Sequence, residues 1–168
     1  EDSIYLGECG ERALLVSSLC IDQPKTVRDT VMLLDAGSEI YMGENSLYLY
    51  HTVYQNGSES TQIAKFSLEN GYLNGEAAAS VRGAVRDTFA IHEKSDKLRI
   101  LTTDTSGSDL ENCLFLLDEK LKLTGTLAHI AVGESIYAAR FLGDMAYFIT
   151  YRNTDPLFAA DLSDETDP

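Results

Sequence analysis

The chain has 168 residues, with 13 Lys and Arg against 27 Asp and Glu, for a formal net charge of −14. That charge repels phosphate backbones and anionic lipid faces, which excludes nucleic acid and membrane surfaces as expected partners. At 44% hydrophobic and 24% charged residues, with only three Pro, the composition is that of a folded domain.

No apolar run approaches the ~20 residues of a spanning helix, so no membrane insertion by this segment is expected. Short apolar alternation broken by turn residues predicts strands instead. In chain order these are Ile4–Leu6, Ala13–Cys20, Val27–Leu34, Ile40–Met42, Leu47–Val53, Thr61–Leu68, Glu76–Val81, Thr88–His92, Leu98–Thr103, Asn112–Asp118, Thr124–Ile130, Ser135–Leu142, Ala146–Tyr151 and Leu157–Asp161. Gly43-Glu44-Asn45, Gln55-Asn56-Gly57-Ser58, Glu69-Asn70-Gly71, Ser95-Asp96, Ser106-Gly107-Ser108-Asp109, Gly143-Asp144 and Asn153-Thr154-Asp155-Pro156 supply turn chemistry between them. Leu114, Leu117 and Leu121 fall at helical spacing. The cluster Asp118-Glu119-Lys120 and the renewed alternation at Leu121-Lys122-Leu123 nevertheless favour two strands there.

Three segments share one grammar of apolar strand, turn and apolar strand, anchored at Ile40, Phe89 and Ile136, 49 and 47 residues apart. Each is followed by a polar loop and a third strand, and the first two by a fourth strand. Four antiparallel strands per ~40–50 residues is the period of a propeller blade. A blade buries both faces, which accounts for strands apolar at most positions. The expected fold is all-β, a partial β-propeller with about two complete and two incomplete blades. Residues 1–37 end one blade, 38–86 and 87–133 form two, and 134–168 begin another. The small residues Ala90, Ala138 and Ala139 are expected on innermost strands lining the axis. Since propellers close with about four or more blades, the chain reads as a piece of a larger ring.

The stretch Gly133-Glu134-Ser135-Ile136-Tyr137-Ala138-Ala139-Arg140-Phe141-Leu142-Gly143-Asp144-Met145-Ala146-Tyr147, continued by Asp155-Pro156-Leu157-Phe158 and Asp161-Leu162-Ser163-Asp164, resembles the secreted bacterial β-propeller domain family, distantly WD40-like. Ile63-Ala64-Lys65-Phe66-Ser67-Leu68 and Leu98-Arg99-Ile100-Leu101-Thr102-Thr103 share the resemblance, which covers 38–168 well and 1–37 loosely. It implies a propeller fold and a secreted or cell-surface address in the parent protein. It implies no reaction and no catalytic residues.

Chemistry-bearing residues have plain structural readings. Asp104-Thr105-Ser106-Gly107 lacks the spacing and second copy of an aspartic protease loop and reads as a hairpin tip. His51, His92 and His129 lie on separate strands with no metal-ligand pairing. Cys9, Cys20 and Cys113 are odd in number, widely spaced, and read as small buried or half-buried thiols. There is no G-x-S-x-G, phosphate-cradling loop or calcium loop, and the acidic tail from Asp161 to Asp167 reads as a solvated turn. Tyr41, Tyr48, Tyr50, Tyr137, Tyr147 and Tyr151 recur at blade positions and are expected to pack between blades.

No catalytic, metal or cofactor site is expected. The one candidate ligand or partner residue is Arg140, aimed at the channel and an anionic group; its structural alternative is an ion pair with Asp155 or Asp161. The expected function is a non-catalytic binding or scaffold module for an unknown protein or polysaccharide. The alternative is a carbohydrate-active hydrolase or lyase with convergent carboxylates or a metal at the channel mouth. Open blade edges also favour pairing into a homodimer.

Overall fold

The computed structural model describes residues 3–6 (backbone only), 13–34, 39–151, 156–164 and 166–168. Its fourteen strands form four small sheets in chain order. The first holds β1 (Ser3–Leu6), β2 (Ala13–Leu19) and β3 (Val27–Leu34). The second holds β4 (Glu39–Met42), β5 (Ser46–Gln55), β6 (Ser58–Glu69) and β7 (Tyr72–Arg82). The third holds β8 (Ile91–Lys94), β9 (Lys97–Asp104), β10 (Glu111–Leu117) and β11 (Leu123–Ile130). The fourth holds β12 (Ser135–Leu142), β13 (Met145–Tyr151) and β14 (Leu157–Asp161).

The second, third and fourth sheets are antiparallel meanders in which sequence neighbours pair. Their hairpins turn on residues that tolerate positive φ, among them Asn56-Gly57, Asn70-Gly71 and Ser95-Asp96. The helical spacing around Leu114 does not produce a helix; β10 and β11 occupy that stretch, as the alternation predicts.

Two local expectations are corrected. The strand expected over Thr88–His92 opens as a 3₁₀ turn at Thr88–Ala90, because the Asp87 carboxylate accepts the Phe89 amide proton at 2.9 Å and diverts the backbone from the sheet. The first sheet is not wholly antiparallel, since β1 runs parallel to β3 in the order β1-β3-β2. β2 already takes one edge of β3, and β1 satisfies the row of backbone donors and acceptors on the other.

Side chains alternate across each strand, so every internal sheet supplies two cores. On β5, Leu47 and Leu49 join Val31, Leu33, Phe66 and Leu73 between the first and second sheets. The intervening Tyr48 and Tyr50 join Ile63, Leu98, Ile100, Cys113, Phe115 and Leu117 between the second and third. Leu101, Leu114 and Leu116 face the other way, onto Ile136, Ala139, Ala146, Phe148 and Ala160 of the fourth. Ala90 and Ala139 are buried in this last layer, where their small size serves close sheet-to-sheet packing.

β4, β8 and β12 occupy the same edge of successive sheets. The Glu93 amide of β8 donates to the Tyr41 hydroxyl of β4 at 3.0 Å, and Arg86, in the segment between β7 and the 3₁₀ turn, donates Nη1 to the Ile136 carbonyl of β12 at 3.2 Å. Arg140, Phe89 and Tyr137 also lie along this edge.

Candidate binding site

Arg140 sits near the end of β12, an edge strand, and is exposed. Its guanidinium carbon lies 3.6 Å from the centroid of the Phe89 ring, within the range of a cation–π contact. The Asp87 cap sets the 3₁₀ turn that places Phe89 there, which explains why this large ring remains 55% exposed. One guanidinium nitrogen, Nη1, donates to the Ala139 carbonyl at 3.0 Å. A guanidinium carries five N–H groups, so the contact with Phe89 orients a donor array larger than this one bond uses.

A second cation–aromatic pair stands beside the first. The Arg86 guanidinium is 5.3 Å from the Tyr137 ring centroid, and its Nε is 3.8 Å from the Asp87 carboxylate. Two arginines are thus concentrated at one edge of a chain with an excess of carboxylates. Among the described residues no carboxylate pairs with Arg140. Of the two acids considered as partners, Asp161 instead accepts its hydrogen bond from the Ser163 amide, and Asp155 lies outside the described residues.

Other candidate chemistry is distributed and structurally engaged. His92 stacks on Phe141 at 5.3 Å between centroids, and burial pushes its pKa down. His129 meets Glu111 on the neighbouring strand, and His51 lies on β5. Among the described residues no three His, Cys, Asp or Glu groups are placed to hold a metal. Cys113 is buried, with its Sγ accepting from Arg82 Nη2 at 3.0 Å; Cys20 is half-buried, and Cys9 lies outside the described residues. The Asp104 loop is a tie between sheets: Thr105 donates its amide and hydroxyl to the buried Glu59 carboxylate at 2.9 and 3.0 Å. The acidic tail is only partly solvated, because Leu162 within it is fully buried against the fourth sheet. Of the recurring tyrosines, Tyr48 and Tyr50 are buried as expected, whereas Tyr137 and Tyr151 are 62% and 54% exposed.

Asp144, in the β12–β13 turn, accepts from Lys94 Nζ at 2.6 Å and from Arg99 Nη2 at 2.9 Å. The bonds from Lys94, then Arg99, hold its carboxyl below the ordinary value of 3.8. A depressed folded-state pKa contributes stability that is present above the unfolded value and lost as pH falls through the folded one. Asp144→Asn is therefore expected to flatten the fall in melting temperature below about pH 4 and to lower the melting temperature modestly at pH 7. A pH scan of thermal melting checks this; an unchanged acid limb would refute it.

Four small sheets in succession, two of them complete four-stranded antiparallel meanders and each packed on the next through a shared core, fit a partial β-propeller architecture. The chain belongs to the β-propeller domain family, which it matches over residues 2–168. It is similar to an uncharacterized protein of Archaeoglobus fulgidus, with 42% identity over 110 residues, 66% of this chain and 17% of that protein. It is also similar to an uncharacterized protein of Methanocaldococcus jannaschii, with 38% identity over 113 residues, 66% of this chain and 18% of that protein. Both relatives are archaeal, whereas the resemblance pointed to bacteria. The chain spans less than a fifth of the length of either.

Arg140 was singled out by its place in the familial stretch, but its partner was not legible. Phe89 lies 51 residues upstream, and only the 3₁₀ turn brings it under the guanidinium.

Proposed function

We propose that this domain is a non-catalytic binding module of an extracytoplasmic protein, whose β4–β8–β12 sheet edge recognises an anionic group on a protein or polysaccharide partner. The observation that carries this reading is the Arg140 guanidinium, laid on Phe89 and unpaired with any described carboxylate, with Arg86 on Tyr137 alongside. A preoriented, exposed planar fork suits a carboxylate or sulfate acceptor better than a mobile ammonium does. The open strands β2 and β14 at the ends of their sheets extend the same reading to self-association, with a second chain as partner.

The probes are a fluorescent oligogalacturonate and an oligoglutamate peptide, titrated at about 0.15 M salt, where long-range repulsion from the chain's own charge is screened. Arg140→Ala is expected to weaken binding about tenfold while lowering the melting temperature by about 2 °C or less, the scale of one exposed cation–π contact. Arg140→Lys should restore little. A fall of many degrees, or unchanged binding in Arg140→Ala, would overturn the assignment. Light scattering on the same samples should show dimers at micromolar concentration; monomers throughout would remove the self-association.

A further inference from the structure

A polar cleft of about 420 Å³ opens between the ends of the second and third sheets, on the side where their turns gather. It is built by Asn45 and Ser46 at the entry to β5, by Lys65, Ser67, Leu68 and Glu69 at the end of β6, by Glu76 of β7, and by the turns holding Asp96, Glu119 and Lys120. Its volume is in the range that takes a small organic ligand, but its lining is not the apolar one usual for such sites. Leu68 is the one apolar side chain lining it.

Lys65 gives the cleft a fixed donor. The residue is 5% exposed, and its ammonium is held by the carbonyls of Asp96 and Glu119, each at 3.0 Å. An ammonium has three N–H groups; the two carbonyls take two of them, and the Nζ also stands 6.0 Å from the Tyr48 ring centroid. The next interface is built differently. Between the third and fourth sheets, Leu116 occupies the position that matches Lys65 on the third strand, and the cation there is Arg99, from the second strand. Ser46, 2% exposed, adds a hydroxyl from the cleft wall. Across from them Glu76 is held by Ser67 Oγ at 2.9 Å and by Lys120 Nζ at 3.2 Å, which leaves further lone pairs on a positioned carboxylate.

Charge selects the ligand class. Four carboxylates (Glu69, Glu76, Asp96 and Glu119) line the cleft against two ammonium groups, so an anion meets net repulsion. The same net charge draws a cation to the mouth of the cleft, but the clamped Lys65 ammonium repels it on contact with the wall. A neutral molecule rich in hydroxyls satisfies both senses at once, donating to carboxylates and accepting from Lys65 and Ser46. We infer that this cleft binds a neutral polyhydroxylated ligand, a saccharide unit, at a site separate from the Arg140 edge.

The test is a titration of the 15N-labelled chain followed by amide shifts. The probes are methyl β-glucoside, methyl β-galactoside and cellobiose, with glucuronate as the anionic counterpart and glucosamine as the cationic one. At least one neutral probe is expected to shift the amides of Ser46, Lys65 and Asp96 saturably. Ser46→Ala and Glu76→Gln, both folded by their melting curves, should each weaken it at least fivefold. Arg140→Ala should leave it unchanged, which separates this site from the anion-binding edge. No saturable shift with any neutral probe, saturation with glucuronate or glucosamine only, shifts away from the cleft, or unchanged affinity in both cleft variants would overturn the inference.

Discussion

Asn112→Asp is expected to unfold this domain more readily than any conservative surface change, by about 3–5 kcal/mol at pH 7. Asn112 is fully buried on β10 and uses both ends of its amide. Its Nδ2 donates to the carbonyls of Ile130 and Glu134 at 2.9 Å each, and its Oδ1 accepts from the Thr103 hydroxyl at 2.7 Å. One side chain therefore ties β9, the end of β11 and the entry to β12. Asn112→Ala leaves two carbonyls and a hydroxyl unsatisfied and costs about 2–4 kcal/mol. The carboxylate of Asn112→Asp does worse, because it turns acceptors toward the two carbonyl oxygens. Burial and those dipoles raise the folded-state pKa of the new acid above the ~3.9 of an unfolded Asp. A raised acid is neutral, and its deficit smallest, below the unfolded pKa; the deficit grows as pH rises through the folded value. Thermal melting of wild type and both variants from pH 3.5 to 8 should show Asn112→Asp about 10 °C below wild type at neutral pH, converging toward Asn112→Ala in acid. A pH-independent gap would show that Asn112 does not donate to these carbonyls.

The strands were legible because their cause is local. Alternation such as Leu47 to Tyr50 and turn pairs such as Asn56-Gly57 act within a few residues, and the structure pairs them as read. The recurrence of the pattern exposed the propeller architecture before any contact was known. The 3₁₀ turn was missed because one carboxylate, Asp87, overrides the β-propensity of the residues after it. The ties between sheets were missed for another reason. Lys65 reaches Glu119, and Glu59 reaches Thr105, across 54 and 46 residues of sequence, with no spacing that marks them beforehand. The cleft is assembled from turns of two sheets, and no single stretch contains it. Arg140 stood out in the sequence as a charge among small and apolar residues, but its orientation comes from Phe89 in another repeat.

Gly83→Ala is the second substitution expected to carry a large penalty, and a matched glycine isolates why. Gly83 follows β7 at φ +83, where a Cβ would lie 2.9 Å from both the Thr103 carbonyl carbon and its oxygen, and 3.0 Å from the Asp104 nitrogen. These are backbone atoms that cannot rotate away. The segment is also pinned from three sides: Gly83 N–H donates to the Glu59 carbonyl at 2.9 Å, Thr61 Oγ1 donates to the Gly83 carbonyl at 2.7 Å, and Ala84 exchanges two backbone bonds with Thr103 at 2.8 and 2.9 Å. Gly133, at φ +84, repeats the arrangement one sheet later by donating to the Leu110 carbonyl at 2.8 Å. Gly57 has a similar φ of +77 with nothing within 4 Å of its missing Cβ. Gly57→Ala therefore carries the left-handed conformational cost alone, about 1–2 kcal/mol. Gly83→Ala adds the separation of two bonded backbones and should cost about 3 kcal/mol or more. Denaturant melts of the two variants measure the difference directly. Amide exchange should accelerate at Ala84 and Thr103 in Gly83→Ala and stay unchanged there in Gly57→Ala. Equal destabilisation of the two variants would mean that the close approach between the second and third sheets is not maintained in solution, and with it would go the geometry that sets the Lys65 cleft.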